Sequence, residues 1–267
     1  MTDLLRIAVH GAAGRMGSRV IALAREERDM KVVAAIVRPG DPRVGRDLSE
    51  TAGGEPMGVP ISDRLPDGAV DAMVDFSEPD ATPALARLCV DRGIPMVVAT
   101  TGLDQDMRAG LREAARSIPV LVAANLSLGV ALLARLVRDA ARALGLEADV
   151  EIVEAHHRRK MDAPSGTALH LARAVAEARG QELDRVSTFG RHGIMAERRR
   201  EDIAIHALRL GDVVGEHTVS FGFGSERIEL THKAHSRDVF ARGALKAARF
   251  VARAAPGLYG PEDILGR

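Results

Sequence analysis

The feature that most constrains the fold is a glycine-rich turn between an apolar run and a helical pattern. The turn, Gly11–Gly17, has the spacing Gly-x-x-Gly-x-x-Gly and directly follows Ile7–Val9. Glycines at a strand–turn–helix junction let the turn close and let the backbone approach a pyrophosphate, whose charge meets the helix N-terminus. Ala13 stands where the commoner fingerprint has its second glycine, so this is a variant of the motif. The glycine-rich turn nevertheless predicts a dinucleotide site.

The first half of the chain alternates short aliphatic runs with longer helical patterns. This alternation is typical of a parallel sheet covered by helices. The predicted strands lie near residues 5–10, 31–37, 71–75, 95–99 and 119–123, and the predicted helices lie at 14–27, 79–91 and 104–117. Residues 38–68 are rich in Gly, Pro, Asp and Arg, which indicates an irregular excursion at the rim of the sheet. We therefore expect an α/β fold with an N-terminal Rossmann-type doubly wound parallel sheet.

The pattern changes after a predicted helix at residues 128–144. A strand at 149–155 and a helix at 167–179 come first, and three closely spaced strands follow at 203–210, 216–223 and 227–234. Turns at Gly211 and Gly224 join these last strands, which predicts an antiparallel meander. We expect a second, α+β domain with a mixed or antiparallel sheet. The predicted bounds are 1–126 with 238–267 for the first domain and 127–237 for the second, and the final helix packs back onto the first domain.

Composition excludes several classes of partner. Lys and Arg total 37 and Asp and Glu total 37 in 267 residues, so the chain has no overall basic field of the kind that nucleic-acid binding needs. The single cysteine, Cys89, cannot form an intrachain disulfide, fits a reducing cytoplasm, and lies on a helical face where it predicts a core position. Residues 1–6 lack the features of a signal peptide, and no apolar run approaches the roughly 18 residues of a membrane span. We expect a cytoplasmic protein with no membrane or nucleic-acid partner.

The histidine–lysine segment, Val153–Thr167, concentrates proton donors and anion ligands that a packed core does not need. Two imidazoles, three cations and two carboxylates precede a helix-start signal at Ser165. If a helix begins there, the backbone N–H groups of its first turn point at whatever lies beside the histidines and Lys160. The segment therefore predicts a site for a small polyanion. The alternative is a solvated surface loop without a ligand.

The end of the second predicted strand bears on the choice of cofactor. An acidic residue usually stands about twenty positions beyond the glycines and holds the ribose 2′-hydroxyl. Val37 takes that place here and is followed by Arg38. A guanidinium without a carboxylate beside it favours the 2′-phosphate of NADPH, and NADH is the alternative. Arg38 facing solvent is the other interpretation.

Two further segments end predicted strands on the side where this architecture binds ligands. They are Ala99–Gly102 and Ala123–Leu126. Their small residues let a nicotinamide ribose approach closely, while Thr100, Thr101 and Asn125 offer neutral hydrogen bonds. We expect both segments at the cofactor.

With these pieces in place, the chain resembles the dihydrodipicolinate reductase (4-hydroxy-tetrahydrodipicolinate reductase) family of the diaminopimelate route to lysine. The resemblance covers nearly the whole chain. The motifs that carry it are the glycine-rich turn, Ala99–Gly102, Ala123–Asn125, Glu154–Ala168, Gly215–His217 and Thr231–Ala234. The run from His156-His157 to Ser165-Gly166-Thr167 is the motif most specific to that family.

The resemblance implies NAD(P)H-dependent reduction of a cyclic imine dicarboxylate by a homotetramer. It implies a dinucleotide-binding first domain and a second domain that binds substrate and carries the oligomer interface. It gives His156 and Lys160 the proton-handling role, and His157, Gly166 and Thr167 the role of substrate ligands. It places at the cofactor the residues Gly11, Ala12, Ala13, Gly14, Arg15, Met16, Ala99, Thr100, Thr101, Ala123, Ala124, Asn125 and Leu126. The family often has an acid followed by Arg at positions 37 and 38, so Val37 departs from the pattern.

The chemistry of the residues agrees with these roles and leaves one choice open. Reduction of a conjugated imine needs a hydride at one carbon and a proton at its neighbour, and either His156 or Lys160 can supply the proton. Their four-residue spacing puts both on one side if the segment is helical, and a loop could do the same. Asp162 is expected to orient a cation or cap the turn rather than act as a base. The histidines beyond residue 200 match no zinc spacing, so we expect structural or interface roles for them and no metal.

Two other functions compete with the reductase. A semialdehyde dehydrogenase shares the cofactor domain and the dicarboxylate chemistry but needs a thiolate nucleophile, and no cysteine lies beyond residue 89. A nucleotide-binding sensor or scaffold explains the glycine-rich turn but gives the histidine–lysine segment no purpose.

Overall fold

The computed structural model describes residues 4–266 and divides into two compact units. The first contains the chain up to Ser127 together with the segment from Asp238 onward. The second is Leu128–Arg237. Each unit is built around its own sheet.

The first unit contains a seven-stranded sheet in which every pair of neighbouring strands is parallel. Its strands are β1 (Leu5–His10), β2 (Met30–Ile36), β3 (Ile61–Ser62), β4 (Ala72–Asp75), β5 (Met96–Val98), β6 (Pro119–Val122) and β12 (Gly257–Tyr259). Their order across the sheet is β12-β6-β5-β4-β1-β2-β3. The order reverses at β1, next to the glycine-rich turn, and ligands bind at such a switch point in open α/β sheets. The predicted doubly wound parallel sheet is confirmed.

Helices cover both faces of this sheet, because alternate residues of each buried strand point to opposite sides. The helices are α1 (Arg15–Ala24), α2 (Ser49–Ala52), α3 (Thr82–Asp91), α4 (Gln105–Ala114) and α8 (Asp238–Val251). Ile7 and Val9 belong to a core with residues of α1 and α8, whereas Ala8 belongs to a second core with residues of α3 and α4. Cys89 is fully buried in that second core, as expected.

The excursion at residues 38–68 is less irregular than expected. It contains α2 and β3, and β3 extends the sheet by pairing with β2. The carboxylate of Asp47 accepts hydrogen bonds from the backbone N–H groups of Ser49, Met57 and Gly58 at 2.8–3.0 Å. These bonds close the loop and hold the pKa of Asp47 well below its usual value.

The second unit packs helices against a five-stranded mixed sheet. Its helices are α5 (Leu128–Leu144), α6 (Gly166–Ala178) and α7 (Leu183–Val186), and its strands are β7 (Asp149–His156), β8 (Ser187–Phe189), β9 (Ile203–Arg209), β10 (Gly215–Phe223) and β11 (Glu226–Ala234). The order is β11-β10-β7-β9-β8. Val150 and Ile152 of β7 lie in the core with residues of α5 and α6, so the even-numbered residues of β7 face the helices.

The predicted antiparallel meander of the last three long strands is wrong. β10 pairs antiparallel with β11, but β9 does not pair with β10, because β7 lies between them and pairs parallel with β9. The link from β9 to β10 crosses the end of β7, where the N–H of Leu210 donates to the carbonyl of His156 at 2.8 Å. Short spacing along the chain indicated neighbouring strands, but it could not show that an earlier apolar strand fills the gap.

Within residues 4–266, no helix combines the length and the apolar character that spanning a bilayer requires.

Candidate active site

Packing fixes two of the three glycines in the glycine-rich turn. Gly11 has a left-handed φ of 74°, and a side chain there would collide with the carbonyl of Phe76. A side chain at Gly17 would collide with the carbonyl of Gly11. The turn is closed further by the N–H of Gly14, which donates to the carbonyl of Gly11 at 2.9 Å. These contacts bring the strand and the helix together as the motif predicts.

The third glycine leaves the start of α1 open. Gly14 is the exposed N-cap of α1, and no side chain within residues 4–266 caps that helix. Arg15 is exposed and Met16 half-buried, whereas Ala12 is fully buried and donates its N–H to the carbonyl of Ile36 at 3.1 Å. An uncapped first turn beside a closely packed glycine loop has the donors and the space that a pyrophosphate needs. The turn therefore fits a dinucleotide cofactor.

The two segments that follow β5 and β6 use part of their polar groups internally. The hydroxyl of buried Thr100 lies 3.4 Å from the carbonyl oxygen of Asp75 and 3.5 Å from that of Ser77, whereas Thr101 is exposed. Asn125 Oδ1 accepts from the N–H of Ser127 at 2.8 Å. Ala99, Ala123 and Leu126 are buried, and Ala124 is exposed. Thr101, Gly102 and Ala124 are the exposed residues of these two segments.

The end of β2 presents a cation without an acid at the expected position. Val37 is buried, with 4% of its surface exposed, and Arg38 is exposed. Exposure of Arg38 agrees with both interpretations of that residue, a phosphate ligand and a solvated side chain.

In the second unit, β7 carries a buried acid–imidazole pair that the sequence analysis did not assign. Glu154 and His156 are two residues apart on one strand, so both face the helices. Glu154 is fully buried, and its Oε2 lies 2.6 Å from His156 Nδ1. Because Nδ1 contacts Glu154, Nε2 is the other ring nitrogen of His156 that can face a ligand. Nε2 lies next to Gly215, and a Cβ added to that glycine would be 3.1 Å from it.

Arg209 and Ser165 complete the surroundings of Glu154. The guanidinium of Arg209 donates to both carboxylate oxygens at 3.0 Å, and the N–H of Ser165 donates to Oε1 at 3.0 Å. Burial alone would raise the pKa of Glu154, but the hydrogen bonds from Arg209 and His156 outweigh it and hold this pKa below its usual value. One carboxylate therefore fixes both the imidazole of His156 and the N-cap residue of α6.

Arg209 also holds the loop that carries Lys160. Its guanidinium donates to the carbonyl oxygens of Lys160 and Asp162 at 3.3 and 2.6 Å. The loop turns tightly, with the N–H of Lys160 donating to the carbonyl of His157 at 3.0 Å, so the segment between His156 and Lys160 is a turn and not a helix. The ammonium of Lys160 contacts both oxygens of Asp162 at 2.8 and 2.9 Å. The expected role of Asp162 as the partner of a cation is confirmed.

His157 is the predicted substrate ligand with an unused polar atom. Its Nδ1 is buried and has no hydrogen-bond partner in the part of the chain that the structure describes. Burial lowers the pKa of His157, and the positive charges of Arg159 and Arg237 lower it further. A neutral imidazole with an unsatisfied nitrogen is suited to receive a polar group of a ligand.

Ser165 caps α6 as predicted and links it to a further histidine. Its Oγ accepts from the N–H of Ala168 at 3.1 Å and lies 3.1 Å from Nε2 of His217. The His217 ring packs edge-on against His156, with centroids 5.2 Å apart. Burial, with a smaller contribution from His156, lowers the pKa of His217 to about 4, so this buried imidazole is neutral near pH 7. A structural role was expected for the histidines beyond residue 200. For His217, that role includes direct contact with Ser165 and His156.

The first turn of α6 is open where the substrate ligands are predicted. Helix α6 begins at Gly166, one residue earlier than expected. Gly166 is exposed, and a Cβ there would meet no protein atom within 4 Å. Packing of the protein therefore does not require a glycine at this position. Thr167 follows within the first turn, half-buried. The arrangement offers an anion-binding helix start beside a proton donor and a cation.

Sequence reasoning missed Glu154 and Arg209 as members of this site. Glu154 could have been found, because a residue two positions before His156 on a strand must share its face. Arg209 carries no local signal. Its place follows only from the parallel pairing of β7 with β9, which sets His156 opposite Arg209.

Comparison with known proteins identifies relatives of the whole chain. Residues 5–126 match the family model described as dihydrodipicolinate reductase, N-terminus, and residues 129–265 match the model of its C-terminus. A protein of Halorhodospira halophila named 4-hydroxy-tetrahydrodipicolinate reductase is 48% identical over 264 residues, which are 98% of this chain and 99% of that protein. A protein of the same name from Rubrobacter xylanophilus is 48% identical over 262 residues, which are 98% of each chain.

A solved structure agrees with these matches. It is the dipicolinate-bound dihydrodipicolinate reductase from Paenisporosarcina sp. TG-14, which superposes with a TM-score of 0.76 at 26% identity. The superposition covers 98% of this chain and 99% of that one.

Proposed function

The chain belongs to the dihydrodipicolinate reductase family, and we propose that it reduces 4-hydroxy-tetrahydrodipicolinate to tetrahydrodipicolinate with NAD(P)H, in the diaminopimelate route to lysine. The observation that carries this proposal is the buried Glu154–His156 pair beside the open first turn of α6. Glu154 contacts both His156 and Ser165. It therefore joins a proton donor to an anion site of the kind that a dicarboxylate requires.

The first unit holds the nicotinamide cofactor, which supplies the hydride when bound. The glycine-rich turn receives the pyrophosphate, since its close packing and uncapped helix start leave room and donors for it. Ala99–Thr101 and Ala123–Leu126 lie along the cofactor at the ends of β5 and β6. Exposed Arg38 binds the 2′-phosphate, so NADPH is the preferred form and NADH the poorer one.

The second unit binds the two carboxylates of the substrate. The N–H groups at Gly166 and Thr167 receive one carboxylate at the start of α6, where the helix dipole favours negative charge. His157 supplies a further hydrogen bond through its buried, unsatisfied Nδ1. Lys160 neutralises the remaining charge, and Asp162 keeps its ammonium in place until substrate arrives.

The proton that accompanies the hydride comes from one of two groups, His156 or Lys160. Glu154 holds Nδ1 of His156, so Nε2 is the nitrogen that can exchange a proton with a ligand. Glu154 is fully buried, so it acts through His156 as a positioning residue. Because Arg209 keeps Glu154 ionised, the carboxylate remains an acceptor for the imidazole across the neutral pH range.

We also propose that copies of the chain associate as a homotetramer in the cytoplasm through the open face of the second sheet. Ile205 points into the core with α5 and α6, so His206 lies on the other face, and Leu208 beside it is 49% exposed. Phe189 on neighbouring β8 is 60% exposed. Light scattering should give four times the mass of one chain.

The test of the reaction is an absorbance assay of nicotinamide oxidation with enzymatically generated substrate, run in parallel with NADPH and NADH. We expect turnover with both nucleotides and a higher kcat/KM with NADPH. Tight binding of NADPH with no turnover would instead support a sensor or scaffold.

A further inference from the structure

The loop after β2 folds back onto the glycine-rich turn through an acid–base pair. Arg43 donates from Nε and Nη2 to the two carboxylate oxygens of Asp41 at 2.8 and 2.6 Å. Its remaining terminal nitrogen, Nη1, donates to the carbonyl of Ala13 at 3.3 Å. Asp41 is held in turn by its own N–H, which donates to the carbonyl of Arg38 at 3.2 Å. The pair is therefore attached to both the glycine-rich turn and the end of β2.

In dinucleotide-binding folds, residues at the end of the second strand contact the adenosine ribose. The usual acid at the end of the second strand is replaced by buried Val37. A carboxylate nevertheless stands four residues later, at Asp41, of which 7% is exposed. The hydrogen bonds from Arg43 overcome its burial and hold the pKa of Asp41 at about 2, and the charge of Arg38 adds to this effect. The acid is present and ionised, but it faces a guanidinium.

We propose that Arg43 and Asp41 determine cofactor specificity, with Arg43 masking a carboxylate that would otherwise repel the 2′-phosphate of NADPH. This inference rests on the proposed function. With Arg43 in place, Arg38, Asp41 and Arg43 together carry one net positive charge, which suits a phosphate. Without Arg43 that excess is lost, and the uncovered carboxylate suits the ribose 2′-hydroxyl of NADH.

The experiment measures the dissociation constants of NADPH and NADH by calorimetry, without substrate, for a small set of variants. Arg43→Ala should weaken NADPH roughly ten- to a hundredfold and change NADH by less than about threefold. Asp41→Asn should leave NADPH affinity equal or higher. Adding Asp41→Asn to Arg43→Ala should recover part of the lost NADPH affinity, because the repelling charge is then gone.

A matched control is Arg46→Ala. Arg46 lies in the same loop and pairs with exposed Glu50 at 3.2 Å, so its removal should change neither affinity. Thermal unfolding of each variant shows whether the loop still folds. If Arg43→Ala unfolds, the dissociation constants of NADPH and NADH are compared for Arg43→Gln and Asp41→Asn instead, and they test the same inference.

Two results would overturn the inference. An equal loss of NADPH and NADH affinity in the Arg43 variants would make Arg43 a brace of the glycine-rich turn through Ala13 and not a specificity residue. No recovery in the double variant would show that Arg43 does not act through Asp41. Failure of the wild-type protein to bind either nucleotide would be a different result, because it would remove the proposed function itself.

Discussion

The two units prepare their proposed ligand sites by opposite means. In the first unit, the glycines of the glycine-rich turn have no side chains, so that backbone groups and a helix N-terminus can contact a ligand. In the second unit, the histidine–lysine segment gathers charged and polar side chains and buries several of them. Glu154 and Ser165 are almost completely inaccessible, and His156 is only 9% exposed. One site depends on free space and the other on buried polar contacts.

The two sites are vulnerable to different kinds of substitution. Backbone packing enforces the geometry of the glycine-rich turn, because Gly17 contacts Gly11 within the same seven residues and Gly11 contacts the backbone of Phe76. The geometry of the histidine–lysine segment depends on a residue far away in the sequence, because Glu154 needs Arg209 from another strand to remain a stable buried anion. We therefore expect substitutions in the turn to act on packing, and substitutions in the segment to act on turnover and on pH dependence.

The largest effect should follow removal of a proton donor from the histidine–lysine segment. We expect His156→Ala or Lys160→Ala to lower kcat by roughly two to four powers of ten, because the protonation step loses its positioned acid. Cofactor affinity should stay near that of wild type, since the glycine-rich turn belongs to the other unit. Steady-state kinetics and nucleotide titration measure the two quantities. A loss of nucleotide affinity as large as the loss of kcat would contradict the assignment of cofactor binding to the first unit and proton transfer to the second.

A somewhat smaller effect is expected from the residue that positions His156. Glu154→Gln should lower kcat by roughly two to three powers of ten while KM changes little, because the imidazole loses the acceptor that fixes its outer nitrogen. Glu154→Asp keeps the charge and should recover part of the activity. A purely structural role predicts something else, namely a loss of thermal stability with normal kcat in the protein that remains folded.

The buried His217 should make stability depend on pH. Burial lowers its folded pKa from 6.5 to about 4, so the unfolded chain binds more protons between those values. Stability should therefore fall as the pH drops from about 6.5 to about 4, by about 3 kcal/mol from this group. Urea unfolding of wild type and His217→Gln across this range measures the difference in slope. Parallel slopes for the two proteins would assign the pH dependence to other groups.

In the glycine-rich turn, alanine substitution should lower stability more at Gly17 than at Gly14. Gly17→Ala should destabilise the protein by about 1–3 kcal/mol, because the added carbon meets the Gly11 carbonyl in a closed turn. Gly14→Ala should cost less, since its added carbon lies 3.2 Å from that same oxygen and the residue is exposed. Denaturant unfolding compares the two variants. Equal losses would mean that packing does not distinguish them.

The same contrast explains how much of the molecule could be predicted from the sequence. The doubly wound sheet and the cap at Ser165 depend on local signals, namely strand–helix alternation and a residue type at a helix start, and both were predicted. The position of β9 and the partner of Glu154 depend on which strands pair across the second sheet. Strand pairing is a long-range choice, so Arg209 could not be found and the meander was predicted wrongly.

Gly166 lies between these cases, because the resemblance implies that it is a substrate ligand and the structure shows that packing does not require a glycine there. The added carbon of Gly166→Ala would meet no protein atom within 4 Å, and alanine is a better helix former than glycine. The melting temperature should therefore stay equal or rise slightly. The KM for the dicarboxylate substrate should still increase roughly tenfold, because the methyl group holds the carboxylate away from the first turn of α6. A variant with unchanged KM and unchanged stability would show that the anion does not bind at this helix start.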